Sequence, residues 1–133
     1  MRNIILIVDD IEMNRAILSS VFEDTYQILE AENGQEALEL IRTREKEIAA
    51  ILLDVVMPVM DGFELLRCMK AEDTGREIPV FLITADASEK NMREGFEYGV
   101  KDIIQKPFIP YFVRQRINSV IELYMTQEQL RET

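Results

Sequence analysis

Five side chains able to do chemistry, Asp9, Asp10, Asp54, Thr84 and Lys106, each stand at the carboxyl end of an apolar run. Asp9-Asp10 closes Asn3-Ile4-Ile5-Leu6-Ile7-Val8, and Asp54 closes Ala50-Ile51-Leu52-Leu53 ahead of Met57-Pro58 and Asp61-Gly62. Thr84 closes Pro79-Val80-Phe81-Leu82-Ile83, and Lys106-Pro107 follows Asp102-Ile103-Ile104-Gln105. Three carboxylates gathered in one pocket repel one another, a strain relieved by protonation or by a bound cation. The chain has no histidine and one cysteine, Cys68, so a hard divalent ion such as Mg2+ suits the donors better than zinc. An added ammonium and hydroxyl complete the parts that phosphoryl transfer to a carboxylate needs. Taken singly, Asp10 reads more readily as a helix cap, Thr84 as a strand former, Lys106 as a solvated charge and Pro107 as a turn residue. Their joint occurrence at the ends of four apolar runs favours the chemical reading.

The elements that would position these groups follow from periodicity. Short apolar runs with Ile and Val, ended by acids, Pro or Gly, predict strands buried on both faces. Tyr26 to Glu32 is a further strand, stopped by Asn33-Gly34. Between strands the pattern turns helical. Met13, Ala16, Ile17 and Val21 share one face of the first helix; Ala37, Leu38 and Ile41 mark the second, Gln35 to about Lys46; Phe63, Leu66 and Met69 mark the third. Ser88 to Tyr98 is a weaker fourth helix, with Met92 and Phe96 but also Gly95, and Gly99 ends it. It is the element expected to move. Pro110 opens a last helix. Five strands alternating with five helices imply an α/β fold, a parallel sheet covered on both faces through right-handed crossovers. The flavodoxin-like order 2-1-3-4-5 brings strands one, three and four together at the switch point, with Lys106 beside them.

Composition bounds the classes of function. At 133 residues, 47% hydrophobic and 30% charged, the chain fits one domain with a real core. The single cysteine excludes a disulfide framework and suggests a reducing, cytoplasmic setting. No apolar stretch is long enough for a signal core or a membrane span. The net charge is -10 and the pI about 4.5, which opposes direct contact with nucleic acid or anionic lipid.

Val8-Asp9-Asp10, Leu53-Asp54 with Met57-Pro58 and Asp61-Gly62, Thr84-Ala85, and Lys106-Pro107-Phe108 together resemble the receiver domains of two-component response regulators. The resemblance spans about Ile4 to Met125. It implies that Asp54 accepts a phosphoryl group from a histidine kinase or phosphotransfer protein. It also implies Mg2+ held by Asp9, Asp10, Asp54 and the carbonyl of Val56, and contacts to the phosphoryl group from Thr84, Ala85 and Lys106. It further implies a cis bond before Pro107, and a phosphorylation-dependent repacking of helix four, strand five and helix five. A protein of this kind is a phospho-accepting switch rather than an enzyme, with slow self-phosphorylation and self-dephosphorylation at most. One position departs from the pattern: Ile103 stands where such domains usually carry Tyr or Phe as a rotamer switch, which puts the usual threonine-aromatic coupling in question.

Three other classes of function fit the sequence less well. A flavodoxin-like electron carrier shares the fold, but Asp9-Asp10 would repel a flavin phosphate at the first loop. A phosphatase of the haloacid dehalogenase type uses an aspartyl nucleophile with Mg2+, but its acids alternate as D-x-D, whereas here they are adjacent. A purely structural interaction domain would not need every acid kept. On the last helix, Phe112, Val113, Ile117, Val120, Ile121, Leu123, Tyr124 and Met125 spread over an arc of about 220°, beyond the roughly 100° one core face requires. Arg114 and Arg116 interrupt that arc, which suits a partly polar homodimer interface through helix four, strand five and helix five. The receiver is expected to occupy residues 1–125. Thr126 to Thr133, rich in helix formers but with only Leu130 apolar, is expected to extend the helix as the start of a linker, unless the chain stands alone.

Overall fold

The computed structural model describes residues 2–132; Met1, the first residue of the expected receiver, and Thr133, the last of the expected extension, lie outside them. The strands are β1 (Ile4–Val8), β2 (Gln27–Ala31), β3 (Ile48–Leu53), β4 (Val80–Thr84) and β5 (Asp102–Gln105). They alternate with α1 (Glu12–Phe22), α2 (Gly34–Arg44), α3 (Gly62–Glu72), α4 (Glu89–Glu97) and α5 (Pro110–Glu132), and one 3-10 turn, Glu45–Glu47, links α2 to β3. All pairings are parallel, as the alternation predicts, and the order β2-β1-β3-β4-β5 is the expected flavodoxin-like one. Every residue of β1, β3 and β4 is buried, because each strand is covered on both faces.

Side-chain alternation along the strands sorts the core into two layers. Leu6, Ile51, Leu53 and Leu82 face α2 and α3, meeting Leu38, Ile41, Phe63 and Leu66. Ile7, Leu52, Phe81 and Ile83 face α1 and α5, meeting Leu18, Phe22, Val113 and Ile117. The side chains of Asn33, Asp61 and Ser88 accept backbone N–H bonds at the starts of α2, α3 and α4, which fixes where those helices leave their loops.

Two helices pack differently from the periodicity reading. The buried face of α1 is Arg15, Leu18, Val21 and Phe22, while Met13, Ala16 and Ile17 face outward. Arg15 disguises the stripe. Its guanidinium is buried because it donates to the Asp9 carbonyl at 2.7 Å and to Glu30 Oε1 at 2.8 Å, which satisfies a charge otherwise costly to desolvate. In α4, Met92 and Phe96 are exposed and Gly95 is the one buried residue. On α5, Val113, Ile117 and Ile121 are buried, whereas Phe112 and Leu123 remain exposed. Arg114 and Arg116 are engaged within the chain. Arg114 reaches the Val21 carbonyl and Asp24, and Arg116 forms a bidentate pair with Asp102.

Candidate functional site

The carboxyl ends of β1, β3, β4 and β5 bring the chemical residues to one edge of the sheet. Parallel pairing sets Val8 beside Leu53, so Asp9 and Asp54 are lateral neighbours one step beyond their strands. The loop below Asp54 is tight. Gly62 N–H donates to the Val55 carbonyl at 2.9 Å, and a Cβ at Gly62 would lie 2.4 Å from the Asp54 carbonyl oxygen. Only glycine allows that approach. In the same loop Val59 holds φ of 68°, a left-handed conformation that is strained for a β-branched residue.

One carboxylate oxygen each of Asp9, Asp10 and Asp54 falls within 4.8 Å of the others. Asp9 and Asp54 are buried and Asp10 is exposed, so the cluster opens to solvent on the Asp10 side. Asp10 does not cap α1, whose cap position is Ile11 and has no side-chain bond. Instead Asp9 Oδ1 accepts the Ile11 N–H at 2.9 Å. Asp54 Oδ1 accepts the N–H of Val55 at 2.7 Å. The remaining oxygens, Asp9 Oδ2 and Asp54 Oδ2, share Lys106 Nζ at 2.7 and 3.0 Å. Burial works against the ammonium of Lys106, yet the hydrogen bonds and charges of Asp9 and Asp54 outweigh it and hold its pKa above the ordinary value. The Lys106–Pro107 peptide is cis.

Thr84 is buried at the end of β4, and its Oγ1 accepts the Asp86 N–H at 3.1 Å. Ala85 and Val56 lie in exposed loop positions on the same edge, and Ile103 is half-buried in β5. Arg15 escaped the sequence reading although it braces the Asp9 carbonyl from below. Its only signal was an arginine at the turn where an apolar stripe through Leu18, Val21 and Phe22 would continue. Chemically, the edge offers three hard carboxylates compatible with a divalent ion, two of them buried, with one fixed ammonium and one hydroxyl.

Comparison with known proteins follows the same line. The profile of the response regulator receiver domain family matches residues 5–118. The transcriptional regulatory protein SrrA of Staphylococcus aureus is 40% identical over 122 residues, covering 91% of this chain and 48% of that protein. The chain therefore spans about half the length of the curated relatives it matches. Among solved structures, the signal receiver domain of a Luxo repressor protein from Vibrio parahaemolyticus superposes with a TM-score of 0.88 at 22% identity, over 98% of each chain. The CheX-CheY complex with BeF3 and Mg2+ from Borrelia burgdorferi matches at 0.80 and 30% identity, over 89% of this chain and 88% of that one.

Proposed function

The chain belongs to the response regulator receiver domain family, and from that premise we propose that Asp54 is its phosphoacceptor, loaded by a histidine kinase or phosphotransfer protein in the cytoplasm. The observation that carries this reading is the geometry of Asp54. It is buried, its Oδ1 is pinned by the Val55 N–H, and its Oδ2 points to the one ammonium of the site. Asp54 Oδ2 attacks the donor phosphorus, a P–O bond to the carboxylate forms, the P–N bond to the donor histidine breaks, and the imidazole recovers a proton. Lys106 exchanges Asp54 Oδ2 for a phosphoryl oxygen, and the Thr84 hydroxyl, with the backbone at Ala85, bonds another.

Asp9, Asp10, Asp54 and the Val56 carbonyl are the donors that would hold Mg2+, and the three-carboxylate cluster fits a hard dication. When bound, Mg2+ neutralises charge on the phosphoryl oxygens. The donor-facing surface also suits a protein partner. Ile11 and Met13 at the start of α1, Val56 and Val59 after β3, and Ile109 after β5 are all exposed in the segments that leave the edge carrying Asp54. An apolar collar around a buried acid fits a docking helix bundle better than a small substrate.

Residues 1–125 form the receiver in this reading, and 126–132 continue α5 toward a following segment. For the output, α4, β5 and α5 form a homodimer surface. Phe112 and Leu123 supply exposed apolar contacts on α5, and the Arg116–Asp102 pair supplies a polar rim. Sedimentation with and without beryllofluoride tests the dimer, and a monomer throughout would remove it. For the phosphoacceptor itself, acetyl phosphate with Mg2+ is expected to add one phosphoryl mass to the chain and none to Asp54→Asn.

A further inference from the structure

At the amino ends of β4 and β5, the edge opposite Asp54, the end of α3, the connection after it, the turn before β5 and α5 enclose a cleft of about 350 Å3. Its floor is apolar: Leu66, Met69, Ile78 and Val80 line it and are buried. Tyr98 and Tyr124, both half-buried, add aromatic rings, and exposed Lys70, Arg76 and Lys101 complete the lining. Those charges stand apart from the rest of the chain. With 25 acids for 15 bases, carboxylate partners are abundant. Yet among the described residues Lys46, Lys70, Arg76, Lys90 and Lys101 make no ion pair, whereas every other Lys and Arg does. Three of these unpaired cations meet in the cleft, against a single carboxylate, that of Asp73. A low-dielectric hollow lined by one sign of charge concentrates counter-ions.

The cleft is also preformed. Asp73 holds φ of 54° as the left-handed cap of α3, and the N–H of Thr74 bonds the Met69 carbonyl at 3.0 Å. Gly75, at φ of 70°, donates its N–H to Glu45 Oε1 at 2.7 Å, and a Cβ there would lie 2.6 Å from Met69 Cε. The N–H of Ile78 returns to the Gly75 carbonyl at 3.1 Å, and that of Lys101 bonds the Val80 carbonyl at 2.8 Å. The backbone that carries Arg76 and Lys101 is thus fixed before any ligand arrives, which lowers the ordering cost of binding. Lys101 Nζ sits 5.5 Å from the centroid of the Tyr124 ring, a cation–π contact that leaves its charge without a counter-ion.

We propose that this cleft is a binding site for a small anion with a planar apolar body, such as an aromatic carboxylate, sulfonate or phosphate ester, its ring on the apolar floor and its charge toward Arg76 and Lys101. A bare ion would meet only exposed cations whose attraction water and salt screen. A neutral apolar molecule would leave the cations unanswered. Volume, apolar floor and a few convergent polar groups are together the make-up of small-molecule sites. The cleft shares no residue with the edge that carries Asp54, so the proposal stands independently of the phosphoacceptor reading.

The test titrates the whole chain with anilinonaphthalenesulfonate, which joins an aromatic body to one sulfonate, and with phenylnaphthylamine, the same body without the charge. Fluorescence gives affinity and stoichiometry, and amide chemical shifts give the place. One equivalent of the sulfonate is expected to bind, in preference to the amine, with the largest shifts at Gly75, Gly99 and Lys101. The double variant Arg76→Gln, Lys101→Gln is expected to weaken the sulfonate about fivefold, a two- to threefold share for each exposed charge, and to leave the amine unaffected. The double variant Lys46→Gln, Lys90→Gln removes the same charge from unpaired cations outside the cleft and keeps parental affinity. Equal binding of both compounds, equal weakening by both double variants, or shifts centred on the exposed Met92 and Phe96 of α4 each overturn the proposal. The parental shifts decide even where a variant has lost stability.

Discussion

Replacing Lys106 with methionine keeps the apolar stem and removes the ammonium that bridges Asp9 and Asp54 at 2.7 and 3.0 Å. Two buried carboxylates are then left facing each other. Breaking one side of a buried ion pair costs about 3–5 kcal/mol. The Lys106 side chain keeps 16% of its exposure, so the lower end, about 3 kcal/mol, applies. A chain of 133 residues unfolds with an entropy of roughly 0.28 kcal/mol/K, which makes the expected loss in Tm about 11 °C. Thermal melts followed by circular dichroism in EDTA measure it. Millimolar Mg2+ is expected to restore more stability to Lys106→Met than to the parent, because the ammonium no longer competes for the same oxygens. A loss below about 3 °C, or equal Mg2+ gains in both proteins, would refute the reasoning.

The same geometry yields further expectations. Val59→Gly relieves a left-handed β-branched residue and is expected to stabilise the chain by about 1 kcal/mol, read by urea unfolding; destabilisation would show that Val59 makes a contact worth more than its strain. Gly62→Ala drives a Cβ into the Asp54 carbonyl, so phosphorylation by acetyl phosphate should slow at least about tenfold, equivalent to a barrier rise of about 1.4 kcal/mol; a parental rate contradicts this. The raised pKa of Lys106 makes its contribution whole below the unfolded value of about 10.4 and lost as pH climbs through the higher folded value. The stability gap between parent and Lys106→Met is therefore expected to hold from neutral pH to about pH 10 and to close above it; a gap that closes below about pH 9 would be inconsistent with the observed bonds.

The fold and the site were legible to different depths. Strand ends were clear because doubly covered strands are continuous apolar runs, and the acids that stop them stand out against that background. Helix faces were less clear. In α1, the outward Met13, Ala16 and Ile17 offer an apolar stripe as convincing as the true one, and the true one contains Arg15, whose burial depends on partners in the first connection and β2. In α4, Gly95 read as a weakness of the helix. Its role is a close approach to Leu82 and Ile103, which no local pattern encodes. Arg114 and Arg116 read as polar breaks in the apolar arc of α5; that their partners are Asp24, remote in sequence, and Asp102 on the neighbouring strand is not encoded in the helix pattern. Periodicity reports that a face is apolar; what lies opposite it is a property of the assembled sheet.

The most direct test of the account is to locate the phosphoryl group. After reaction with acetyl phosphate and Mg2+, borohydride reduces an aspartyl phosphate to homoserine, and peptide mass spectrometry finds the residue converted. Conversion confined to position 54, absent without Mg2+ and absent from Asp54→Asn, is the predicted result. Homoserine at position 9 or 10, or conversion persisting in Asp54→Asn, would contradict the assignment of Asp54 as the residue the sheet edge is built around.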